Sequence, residues 1–241
     1  MDEATELARY LPVSFKSLKE QEYIEFLWEA FETNYENEKY QFAFLAYHML
    51  AMSFVYFNIW QIKLTRPGDF EIGLIGFARD EKSLLEASSP FVFSAVNERT
   101  VLRLLKLIAC NNAEIGTYAK LVDDRNDTAH ANGNIFFSTK AAVDTKITEI
   151  LRVADEIQQH SKPVIEHCYR SFLLQSQDAD DREYPDPSDQ IREVLVHANY
   201  LSSEDIEICA DFDLASLAEG APNEGLLQLS ECLKADYAAG T

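Results

Sequence analysis

From Tyr40 to Ile62 the chain is almost continuously apolar, with Phe42, Phe44, Leu45, Tyr47, Met49, Leu50, Phe54, Val55, Phe57, Ile59 and Trp60 leaving few polar positions. A helix that is apolar on every face has no side to offer water, so protein or lipid must enclose it. The run is long enough for a bilayer span. Against that stand Gln41, His48, Ser53, Asn58 and Gln61 within it, and no second span to partner it. Polar groups in hydrocarbon are costly. The expectation is a central helix buried in a bundle or at a dimer seam, with no membrane involved.

The remaining periodicity is also helical. Residues 15–34 carry Leu18, Ile24, Leu27, Trp28 and Phe31 near helical spacing, and 34–38 are a polar break. Residues 65–93 are punctuated by Arg66-Pro67-Gly68-Asp69 and Ser88-Ser89-Pro90, with a short helix expected over about 77–87. Asn97 reads as the N-cap of a helix over 98–110, which Asn111-Asn112 should interrupt or kink before the pattern resumes over 113–122. The longest stripe runs over 141–175, through Ile147, Ile150, Leu151, Ala154, Ile157, Val164, Ile165, Cys168 and Phe172. Pro163 should kink or divide it. No convincing strand pair and no phosphate-binding glycine loop appears. The fold class is all-α.

Residues 177–188, with Pro185-Asp186-Pro187, look like a linker. The chain therefore divides into 1–177, a helical domain, and 178–241, an acidic extension with helices near 191–198, after Ser202, and over 224–236. The net charge of −20 lies unevenly. Residues 178–241 have sixteen acids against Arg182, Arg192 and Lys234. Such a segment either solubilises the chain or repels and mimics nucleic acid. The four cysteines lie far apart without C-x-x-C spacing, and the acidic opening Met1-Asp2-Glu3 lacks a leader's basic character. Both fit a reducing, cytoplasmic setting. His160 and His167 are two turns apart on one helix, so no metal and no cofactor is expected from them.

The chemically suggestive segment is Arg125-Asn126-Asp127-Thr128-Ala129-His130, followed by Gly133. A guanidinium holds phosphate through paired hydrogen bonds, and an imidazole moves protons near neutral pH. Spacing alone proves little, because Arg192 and His197 repeat it within an amphipathic segment. Arg125 and His130 instead follow an apolar helix and carry Asn126, Ala129 and Gly133 around them. Asp123, Asp124 and Asp127 are acids that could pair with Arg125, Asp127 carrying no catalytic role, and His48 on the central helix could support the motif.

The string R-N-x-x-A-H, in that helical setting, resembles the signature of HEPN-domain proteins over about residues 15–175. The resemblance implies a helical bundle, often a homodimer with a composite active site, and in many members a metal-independent endoribonuclease. In that chemistry the RNA 2′-hydroxyl attacks the adjacent phosphate and leaves a 2′,3′-cyclic phosphate. Arg125 would stabilise the transition state, His130 would act as base or acid, and Asn126 would orient the imidazole or contact phosphate. The implied setting is a toxin or defence nuclease with RNA as substrate and an antitoxin or regulatory protein as partner. Some HEPN toxins carry a modifiable tyrosine two residues after the histidine. Here that position is Asn132, which does not support that mode of silencing. The alternative is a catalytically inactive HEPN-like interaction module.

Overall fold

The computed structural model describes residues 2–75, 77, 80–130, 133–217 and 223–237. It is 79% helical, with no strands among the described residues, which bears out the all-α expectation. The chain opens with α1 (Asp2–Thr5) and a 3-10 turn (Glu6–Tyr10), followed by the antiparallel pair α2 (Leu18–Glu36) and α3 (Tyr40–Thr65). Two short helices come next, α4 (Pro67–Gly73) and α5 (Asp80–Glu86). A 3-10 turn (Pro90–Ala95) leads to α6 (Glu98–Leu102), which continues as a 3-10 turn over Arg103–Ile108. Then come α7 (Asn112–Ala129) and α8 (Lys140–Ser176). The C-terminal segment holds α9 (Pro187–Gln190), a π-helical turn (Ile191–His197), α10 (Ser203–Ala210) and α11 (Glu224–Tyr237).

The organising element is α3. It is the one helix among the described residues long and apolar enough to cross a membrane, and 78% of its most apolar window is buried within the fold. One face receives the Ile24, Leu27, Phe31 and Tyr35 stripe of α2, with Phe31 and Tyr47 ring centroids 5.0 Å apart. The opposite side packs against α8. Its polar residues bind neighbouring elements. Gln41 donates to the Thr128 carbonyl (3.1 Å) and accepts from the Phe136 N–H (2.9 Å). Asn58 accepts from Ser161 of α8 (2.6 Å). Gln61 donates to Asp205 (2.8 Å) and to the Tyr200 carbonyl (3.0 Å). Ser53 bonds back to the Met49 carbonyl within the helix. His48 faces Glu98.

Pro163 lies inside α8, which continues through it without a break. Proline removes one helical hydrogen bond and crowds the preceding turn. Burial of Ile157, Ser161, Val164 and Ile165 around it offsets that cost. The expected single helix over 98–110 is instead α6 plus a 3-10 turn, ended by Ala109 in the left-handed region at φ 66°. Asn111 begins a new helix: its side chain caps Ala113 and Glu114, and Glu114 answers with a bond to the Asn111 N–H.

The segment after 177 is fastened to α8. Arg182, 9% exposed, donates to the Ser176 carbonyl (2.8 Å) and to Gln228 (3.2 Å). A second core joins Ile165, Tyr169, Phe172 and Leu173 of α8 to Leu195, Ile206, Leu229 and Leu233. The two cores thus share one helix and meet near Val164. Asp205, 2% exposed, binds them further, accepting from Gln61, Gln158 (2.7 Å) and the Ser202 N–H (2.9 Å). Replacing it by alanine strands two buried amides. Asp205→Ala is expected to cost about 3 kcal/mol, read as a lower midpoint in urea unfolding. An unchanged midpoint would show that this junction does not hold the cores together.

Candidate functional site

The C-terminal end of α7 is where consecutive side chains reach different neighbours. Asp123 pairs with Arg99 of α6. Asp124 pairs with Lys146 of α8 (2.9 Å). Arg125 Nη2 pairs with Glu98 Oε1 at the start of α6 (2.5 Å). The acid facing Arg125 is therefore Glu98, not the adjacent Asp123 or Asp124. The exposed Arg99–Asp123 pair contributes at most about 1 kcal/mol, while the other two pairs are half-buried. Together they fix the rotation of the helix end.

Glu98 also reaches inward. Its Oε2 lies 3.2 Å from His48 Nε2, and His48 is 2% exposed. His48 Nδ1 is buried without a hydrogen-bond partner. The result is a file of His48, Glu98 and Arg125 running from the core to the surface. Burial pushes the Glu98 carboxyl up, but the His48 hydrogen bond and the charges of His48 and Arg125 outweigh it, and it titrates below its ordinary range.

Arg125, Asn126 and Glu98 line an open cavity of about 850 Å3 between α2, α3, the 89–97 segment and α7. Part of its wall is apolar and aromatic: Met49, Met52, Tyr23, Tyr56 and Phe91, with Tyr23 and Phe91 ring centroids 5.1 Å apart in a T-shaped contact. Lys19 and Glu20 are also part of the lining. Glu20 is buried and accepts from Ser89 (2.6 Å) and from the Tyr200 hydroxyl (3.1 Å), so the C-terminal segment reaches this wall.

His130 is not part of that lining. It is exposed and forms the C-cap of α7, with extended backbone and its N–H bonded to the Asn126 carbonyl (3.2 Å). Gly133, at φ 80°, adopts the left-handed conformation that favours glycine and turns the chain after the motif. Asn132 lies outside the described residues. Arg125 and Asn126 are thus brought together in a cavity, while His130 stands beside it at the helix end.

Sequence reasoning missed Glu98 and the aromatic wall. A glutamate directly after an N-cap asparagine looks like ordinary helix-start chemistry, and only the packing of α6 on α7 aims it at Arg125. Tyr23, Tyr56 and Phe91 come from separate elements with no shared spacing. The stripe of Tyr40, Tyr47, Phe54 and Phe57 is mostly core, as expected. Arg192 pairs with Asp189 and Glu193, and His197 with Ser14, in keeping with structural roles. Comparison with protein-family models, curated proteins and solved structures finds no match.

A carboxyl whose pKa is depressed in the folded state stabilises that state above its unfolded pKa and loses the effect as pH falls through the folded one. Glu98→Gln should therefore lower Tm at pH 7, and the gap from wild type should narrow below about pH 4.3, the ordinary glutamate value. A gap that stays constant from neutral to acid pH would contradict the ion-paired role.

Proposed function

We propose that the chain is a metal-independent endoribonuclease of HEPN type. The observation that carries this reading is the lining of the cavity at the end of α7 by Arg125 and Asn126, with exposed His130 capping the same helix end. A guanidinium has five N–H donors, and the pair with Glu98 through Nη2 does not exhaust them. Glu98 holds the group in orientation for a phosphate, which then competes for it.

In this mechanism a base removes the proton of the RNA 2′-hydroxyl, whose oxygen attacks the neighbouring phosphorus. Arg125, with Asn126, stabilises the charge on the non-bridging oxygens. An acid protonates the departing 5′-oxygen as the P–O bond breaks, leaving a 2′,3′-cyclic phosphate and a 5′-hydroxyl. His130 fills one proton-transfer role, and a second copy supplies the other. Supporting that copy is the apolar surface near the motif, where Phe42, Ile135 and Phe136 are exposed at 58%, 74% and 42%. Two-fold pairing of such a patch would bring two histidines to one cleft. The aromatic wall suits an unstacked base, so single-stranded RNA is the preferred substrate. A toxin or defence role, a regulatory protein partner and a cytoplasmic setting follow from the resemblance.

A second reading, a catalytically silent interaction module, is favoured by the Arg125–Glu98 pair and by the absence of His130 from the cavity lining. Labelled single-stranded RNA in EDTA separates the two. The nuclease reading expects wild type to cleave, leaving cyclic phosphate ends, and Arg125→Ala or His130→Ala to lose at least about 100-fold in rate. Absence of cleavage by wild type, with and without residues 178–241, would favour the module. Equal cleavage by the variants would remove this site from the reaction.

A further inference from the structure

The opposite end of α7 carries a different constellation. Cys110, directly before the Asn111 cap, and Glu114 in the first turn of α7 face His160 on α8. One ligand atom from each of these three residues lies within 4.8 Å of the others. Glu114 Oε2 and His160 Nε2 are 3.4 Å apart. Tetrahedral zinc with bonds of about 2.0–2.3 Å sets its ligands roughly 3.3–3.8 Å apart. The His–Glu pair already has that spacing, and small side-chain rotations would bring in the sulfur.

We infer that Cys110, Glu114 and His160 form a binding site for a single zinc ion that pins the start of α7 to the middle of α8. A thiolate, an imidazole and a carboxylate are all donors that zinc takes in a tetrahedral site. Cys110 is 3% exposed, and Glu114 and Glu156 lie near its thiol, Glu156 being paired with Arg152 and Glu114 with His160. Beside the thiol lies the Tyr118 hydroxyl, on a residue 1% exposed and with no aligned hydrogen-bond partner. A water in the fourth zinc position would give it one, as outer groups commonly do for metal-bound water.

The site lies about 16 Å along α7 from Arg125, at 1.5 Å per residue over the eleven residues from Glu114. Its role is structural, and it does not rest on the nuclease reading. The sequence obscures it because His160 is distant from Cys110 in the chain and its nearer companions, His167 and Cys168, point to a different cluster.

The test uses the full chain freed of metal by chelation and dialysis, then titrated with Co2+ as a spectroscopic probe. The expected result is one ion per chain with a thiolate-to-cobalt charge-transfer band and tetrahedral visible bands, displaced by one equivalent of Zn2+. Cys110→Ala should abolish the charge-transfer band. His160→Gln should weaken binding by more than the roughly 10–100-fold that losing a supporting group costs. Zn2+ should also raise Tm of wild type and not of either variant. Failure of wild type to give the thiolate band, or a band and affinity unchanged in both variants, would overturn the inference. Should Cys110→Ala fail to fold, His160→Gln, partly exposed, decides by itself.

Discussion

The enclosure of α3 is the constraint on which the rest of the molecule depends. A helix with apolar residues on every face can be stable in a folded chain only when other elements cover it on nearly all sides. α2, α7, α8 and the 90–95 turn do so. The polar residues within α3 then decide how those elements sit, because a buried amide, hydroxyl or imidazole without a partner is penalised. Gln41 holds the end of α7 and the following loop, Asn58 holds α8, and Gln61 holds α10 through Asp205. Residues that weigh against a lipid environment for this helix are the ones that fix its neighbours.

The same logic reaches the cavity. His48 projects from α3 and meets Glu98, and Glu98 meets Arg125, so the surface cation is positioned through a buried imidazole. An arginine held by one carboxylate gives up that partner when a better anion arrives. In the proposed nuclease, a phosphate arriving at Arg125 takes the place of Glu98, whose other oxygen lies against His48. The acidic C-terminal segment touches the cavity wall at Tyr200, whose hydroxyl donates to Glu20. That contact ties the segment to the cavity wall through an uncharged side chain.

Much of the fold is legible in the sequence because its signals are local. The apolar run marks α3, the stripes mark α2 and α8, and Asn97 and Ser202 each start a helix as caps should, while Asn111-Asn112, read as a break, proves to hold the cap of α7. Pro163 does not divide the helix, because the penalty of one proline is small beside the burial of a 37-residue helix that spans both cores. Of the proposed site, Arg125, Asn126 and His130 are visible as a string. Glu98, the aromatic wall and the meeting of Cys110 with His160 are products of helix packing, and no spacing in the chain encodes them. Even the acid facing Arg125 is chosen this way: Asp123 and Asp124 are nearer in sequence, but the helix turns them toward Arg99 and Lys146.

The central claim is that Arg125 exchanges Glu98 for an RNA phosphate within the cavity at the end of α7. A crystal structure with a short RNA made uncleavable by 2′-O-methylation tests it most directly. The account predicts a phosphate in hydrogen-bond contact with Arg125 and Asn126, a base against Tyr23, Tyr56 or Phe91, and His130 of one or both copies beside the backbone. RNA bound away from the cavity, with Arg125 still engaged by Glu98 alone, would contradict it.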